Sequence, residues 1–122
     1  MHIVFGNENA RILKEKYTVL ELDTFRFGPG GPVESAFCVI EKISIMDMPR
    51  IDYLRTLHNT MLTEYRQQNW EACDHALAHL VGEWSKELDS FYTDVKSRVD
   101  QFKENPPGDS WDYIIEKPKL ES

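Results

Sequence analysis

Between two runs rich in β-branched and aromatic residues lies Gly28-Pro29-Gly30-Gly31. Such a segment can only turn. Glycine supplies positive φ at no steric cost, and proline has no N–H to give to a ladder. The flanking runs, residues 17–27 and 33–43, are therefore predicted to be two strands of an antiparallel hairpin. In the second strand Val33, Ser35, Phe37 and Val39 share one side and Ala36, Cys38 and Ile40 the other. Both sides are apolar, which predicts a hairpin covered on both faces or shared with a partner. Upstream, residues 2–5 (HIVF) read as a short strand ended by Gly6-Asn7, and residues 7–16 as a helical turn.

After Pro49, placed for the first turn of a helix, the apolar period changes from two to about 3.6. Ile51, Leu54, Leu57, His58, Met61, Leu62 and Tyr65 fall on one side of a first helix. Gln67 to Asn69 form a polar turn, Asn69 caps a second helix, and Trp70, Cys73, Leu77, Leu80 and Trp84 make its stripe. Leu88, Phe91, Tyr92, Val95, Val99 and Phe102 make a third stripe, either on a new helix beginning at Ser85 or Asp89 or on a continuation of the second. Asn105-Pro106-Pro107-Gly108 stops it. Trp111, Tyr113, Ile114 and Ile115 form an apolar return segment before a frayed polar tail over residues 116–122. The fold class expected is α+β. One domain of 122 residues is read as a β-rich half (1–46), a helical half (47–105) and a return segment with tail (106–122).

The charge is uneven. Residues 1–50 hold seven acidic and six basic side chains, and the remainder fourteen and eight, within a formal net charge of -7. An acidic surface without a basic run opposes phosphate backbones, so direct nucleic-acid binding is disfavoured. No apolar run reaches the length of a membrane span, and the first residues carry no positively charged apolar leader. Cys38 and Cys73 are too few for a disulfide framework and lack a metal or redox spacing, so both are expected as buried small hydrophobes. These readings place the chain in the cytoplasm, outside the membrane.

Tyr65-Arg66, Trp70, Cys73 and Leu77, then Asp89-Ser90, Tyr92, Arg98, Pro106-Pro107, Trp111-Asp112 and Glu116-Lys117, form a pattern. It resembles the TPR-like C-terminal tail that follows the catalytic domain in many bacterial adenylate and guanylate cyclases. The resemblance covers residues 53–117 and implies a helical hairpin, a third helix and a role in protein contacts. Cys73 stands where the family has alanine, and Tyr113 where it has glycine. Residues 1–50 are too few to hold a cyclase domain, so no cyclase activity is implied. The whole chain also resembles small uncharacterised proteins of marine phage type, a likeness that names no function.

Candidate chemistry is thin. His75 and His79, with Glu71 one turn earlier, have the spacing of a metal chelate on one helix face. At about 100° per residue they fall about 180° and 140° from the centre of the Trp70–Trp84 stripe, which reads as a solvated surface. His58 lies inside an apolar stripe and reads as a hydrogen-bonded core or interface histidine. Glu21, Asp23, Glu34 and Glu41 put carboxylates on the hairpin, with Glu21 and Asp23 on one face. Without a Glu-x-Lys and a basic groove they read as a solvated strand face. The glycine loop lacks the lysine and the following helix of a phosphate cradle. No cofactor and no catalytic set is expected. The leading expectation is a non-enzymatic protein–protein interaction or adaptor module, homo-oligomeric, with a binding groove near Tyr65, Trp70, Trp84, Trp111 and His58. Its alternative is a small ligand-binding protein or enzyme with a pocket at the sheet–helix junction using His58, Arg26 or the hairpin carboxylates. A weaker third reading is a regulator whose acidic helical surface imitates nucleic acid.

Overall fold

The computed structural model describes residues 2–41, 48–84 and 86–118. The chain is α+β and divides into two compact units. One unit takes in residues 2–41 and 112–118, the other residues 48–111. The return segment is thus split between them, with Trp111 in the helical unit and Asp112 onward in the β unit.

The β unit is a four-stranded sheet in the order β1-β3-β2-β4, with one short helix. β1 (His2–Phe5) pairs antiparallel with β3 (Val33–Ile40), and β3 pairs antiparallel with β2 (Thr18–Phe27). The expected hairpin is therefore present. Its turn closes through Phe27 N–H to Pro32 O (3.0 Å) and Gly31 N–H to Gly28 O (2.9 Å), with Gly28 and Gly30 at positive φ. α1 (Asn7–Lys14) is a helix of two turns. It lays Ala10 on Val19, Phe37 and Val39, with Val4, Leu13 and Tyr17 around them. Residues 36–40 are all buried, so both faces of this part of the strand are covered, as its apolar alternation predicts. The strand expected to reach Ile43 ends at Ile40, and Lys42 and Ile43 lie outside the described residues.

Two features of the sheet differ from the sequence reading. Its register shifts between Glu21 and Thr24, so the pairing with β3 does not keep a strict alternation through that stretch. In addition, Ile115–Lys117 forms β4, parallel to β2, with Phe25 opposite Ile115 and Arg26 opposite Glu116. The polar tail expected to fray from Glu116 is held at its start by backbone pairing, by Gly28 N–H to Lys117 O (2.9 Å) and by the Arg26–Glu116 ion pair (2.5 Å). Residues 119–122 lie outside the described residues.

The helical unit contains α2 (Met48–Arg66), α3 (Trp70–Leu80) and α4 (Asp89–Glu104). Pro49 sits in the first turn of α2, where its missing N–H costs nothing. Leu54, His58, Met61, Leu62 and Tyr65 are buried along α2, Cys73, Ala76, Leu77 and Leu80 along α3, and Phe91, Tyr92, Val95 and Val99 along α4. Fully burying one such aliphatic or aromatic side chain is worth about 1.5–3 kcal/mol, so these stripes hold the unit together. Asn69 occupies the N-cap position of α3, but its side-chain amide donates to Glu64 (2.7 Å) and makes no cap bond. α3 ends at Leu80, which leaves Trp84 in the following turn rather than on the helix. Gly82 at φ 84° and Lys86 at φ 66° are incompatible with a continuous rod, so α4 is a separate helix. Of the two starts considered, Asp89 is where it begins, and Ser85 lies outside the described residues.

The turn makes a discriminating test possible. A Cβ on Gly31 would stand 1.9 Å from Phe27 O, whereas one on Gly30 would meet nothing within 4 Å. Gly31→Ala is expected to cost about 2–3 kcal/mol by forcing the turn apart. Gly30→Ala, at φ 68°, carries only the left-handed penalty of about 1 kcal/mol. Urea denaturation of the two variants checks the order.

Candidate functional site

Four rings gather in the helical unit, one from each successive element. Tyr65 comes from the end of α2, Trp70 from the start of α3, Phe102 from the end of α4, and Trp111 from the segment after Pro106-Pro107. Trp70 stacks on Phe102 with centroids 5.2 Å apart and planes at 27°. Trp111 meets Tyr65 at 5.2 Å, Phe102 at 5.2 Å and Trp70 at 5.7 Å, in edge-on or tilted geometry. Tyr65 completes the set with Trp70 at 5.8 Å. These are the separations at which aromatic pairs attract beyond their buried area.

Local chemistry places each ring. The three-residue turn after α2, with Gln68 at φ 62°, brings Trp70 back beside Tyr65. Pro106-Pro107-Gly108 follow the end of α4 at Glu104 and return the chain, and Gln68 Nε2 donates to Gly108 O (2.7 Å) to hold that return. Arg98 lies over the Tyr65 ring, 5.5 Å from its centroid, and its Nη1 donates to the Tyr65 hydroxyl (3.3 Å). Tyr65 is buried, while Trp70, Phe102 and Trp111 are each partly exposed. The cluster is therefore anchored on one side and open on the other.

A charged network borders it. Lys103 reaches the Asp74 carboxylate and Glu71 Oε1 (3.3 Å), and Lys96 donates to Asp74 (3.1 Å) and Asp100 (2.9 Å). Partial burial pushes the Asp74 pKa up, but hydrogen bonds from Lys103 and Lys96 outweigh it and hold the carboxyl below its ordinary value. Hydrogen bonds to Asp100 and then Asp74 raise the pKa of Lys96, and the bond to Asp74 raises that of Lys103. A recess of about 740 Å³ beside the network is lined by Trp70, Glu64, Asn69, Glu71 and Lys103 among others.

Of the residues expected in a groove, Tyr65, Trp70 and Trp111 are brought together. Trp84 and His58 are placed elsewhere in the unit. Trp84 is buried, makes no ring contact with the cluster, and its indole N–H has no hydrogen-bond partner among the described residues. His58 is fully buried, with its Nδ1 2.8 Å from the Tyr92 hydroxyl and its ring 6.0 Å from Phe91, the hydrogen-bonded core histidine that its stripe suggests. Phe102 joins the cluster although the sequence marks it only as part of the third stripe.

The remaining candidates are dispersed. His75 and His79 are exposed, with ring centroids 4.8 Å apart and His79 Nδ1 2.9 Å from His75 O, while Glu71 turns to Lys103. Among the described residues no group of three or more His, Cys, Asp or Glu side chains is arranged to hold a metal ion. Arg26 pairs with Glu116 and Asp112, and Glu41 with His2. Glu34 is the exception among the hairpin carboxylates, with no hydrogen bond or ion pair among the described residues. Burial, reinforced by Asp74 and Glu64, pushes the Cys73 thiol up to about 12, which keeps it neutral and a poor nucleophile. No helix among the described residues is long and apolar enough to cross a membrane. Comparison with protein-family models, with curated proteins and with solved structures gives no match.

The Asp74 network yields a pH prediction. A carboxylate whose pKa is lowered on folding stabilises the protein above its unfolded value, near 4, and loses that contribution as pH falls through the folded value. Asp74→Asn is expected to cost about 1 kcal/mol at pH 7. The difference from the wild type should shrink as pH falls below about 4 and vanish once Asp74 is protonated in the folded state as well. Denaturation midpoints of the two proteins across this range measure it.

Proposed function

We propose that the chain is a non-enzymatic protein–protein interaction or adaptor module whose helical unit presents the Tyr65–Trp70–Phe102–Trp111 surface to a partner's helix or strand. The observation that carries this reading is the half-open ring cluster, because tryptophan and tyrosine in partly desolvated settings supply most of the binding energy at protein interfaces. Arg98 beside Tyr65 and the Lys103–Asp74–Glu71 network provide the polar rim such surfaces have. The resemblance of residues 53–117 to the TPR-like tail of bacterial cyclases implies the same role in protein contacts. The acidic balance favours a partner that is not nucleic acid, and the reading places the chain in the cytoplasm as a homo-oligomer.

Two measurements test the reading. Affinity capture from native host cells with the wild type and with Trp111→Ala, each shown folded by circular dichroism, is expected to retain a partner that the variant loses at least about tenfold. Equal retention by both would remove this surface from the interaction. Sedimentation from micromolar to millimolar concentration is expected to show a dimer or larger species. A monomer throughout would end the self-association part of the proposal.

A further inference from the structure

The β unit holds a second aromatic group, made by three phenylalanines that are distant in sequence. Phe5 ends β1, and Phe25 and Phe27 lie near the end of β2. Their centroids stand 6.3 Å (Phe5–Phe25), 6.5 Å (Phe5–Phe27) and 6.2 Å (Phe25–Phe27) apart. Register explains the gathering. Phe5 is opposite Ala36, and Phe25 is opposite Glu34, two residues along the same face of β3. Without the shift between Glu21 and Thr24, Phe25 and Phe27 would project from the other face.

A recess of about 650 Å³ opens beside these rings, lined by Phe5, Phe27, Glu34 and the chain from Gly6 to Asn9. That volume lies in the range of small-molecule sites. The two ionisable side chains that line it, Glu8 and Glu34, are both acidic. Glu8 is held by Arg11. Glu34 is half-buried and has no hydrogen bond or ion pair among the described residues. Its Oε2 lies over Gly6, where a Cβ would come within 3.3 Å of it. A partly desolvated carboxylate beside aromatic rings is stabilised by a cation, and the negative ring faces attract the same charge. The chain itself illustrates the second point, since Lys117 Nζ rests 5.4 Å from the Phe25 centroid.

The geometry points to a binding site for an organic ammonium ion, a positively charged nitrogen carried on an apolar body, with Phe5 and Phe27 against the body and Glu34 against the charge. The ligand is bound intact and no bond is made or broken. The first turn of α1 also borders the recess and would favour an anion, so charge sign is what the experiment must decide. This inference is independent of the helical surface proposed above.

Choline, its neutral tert-butyl isostere with carbon in place of nitrogen, and phenylacetate would each be titrated into the labelled full chain and followed by NMR. Choline is expected to shift the ring resonances of Phe5 and Phe27 and to bind at least about tenfold more tightly than the isostere. Glu34→Gln, which preserves shape, is expected to weaken choline about tenfold while leaving the rest of the spectrum unchanged. Equal binding of the isostere, tighter binding of phenylacetate, indifference to Glu34→Gln in a folded variant, or no shift with choline in the tens of millimolar would each overturn the proposal.

Discussion

The pairing of β2 with β3 is the interaction from which the β unit is built. β3 is an interior strand, with β1 on one side and β2 on the other, and β4 reaches the sheet only through β2. The β2–β3 ladder requires the chain to reverse at Gly28-Pro29-Gly30-Gly31, where Gly31 has Phe27 O against the space a side chain would need. The shift between Glu21 and Thr24 then decides which side chains reach which face, since a displacement of one residue in a period of two exchanges the faces. Val19 stays on the α1 side with Phe37 and Val39, while Phe25 and Phe27 cross to the side of Phe5.

The helical unit rests on a different logic. Its stripes on α2, α3 and α4 bury apolar side chains at helical spacing, and the turns between them are set by backbone conformations that a helix cannot continue through. The ring cluster sits where the end of α2, the start of α3 and the end of α4 converge, and the proline-directed return adds Trp111. Buried polar groups are mostly answered from within: His58 meets Tyr92, and Tyr65 meets Arg98. The Trp84 indole N–H has no partner among the described residues, and a buried donor left unpaired costs about 1–3 kcal/mol.

Charge follows the same division. Most of the excess negative charge belongs to the helical unit, where Asp74 gathers Lys96 and Lys103 into a local network beside Trp70. In the β unit Glu8 pairs with Arg11, Glu41 with His2 and Glu116 with Arg26, whereas Glu34, half-buried, has no hydrogen bond or ion pair among the described residues. Among the described residues that carboxylate has no counter-charge, and it stands beside the phenylalanines of β1 and β2.

Local signals were enough to find the hairpin, because glycine and proline dictate a turn whatever surrounds them, and to find the three helical stripes, because a period of 3.6 is written in consecutive residues. They also put Tyr65, Trp70 and Trp111 in one region, through the short turn and the Pro-Pro stop, but added Trp84 and His58, which the structure places elsewhere. Residue order carries only a trace of the register shift, the change of apolar phase from Leu20 and Leu22 to Phe25 and Phe27. It could not disclose β4, three residues held by pairing to a strand about ninety positions earlier, nor the meeting of Phe5 with Phe25 and Phe27. Those features depend on hydrogen bonds and contacts between segments far apart in the chain, and a contact of that kind exists only after the chain has folded.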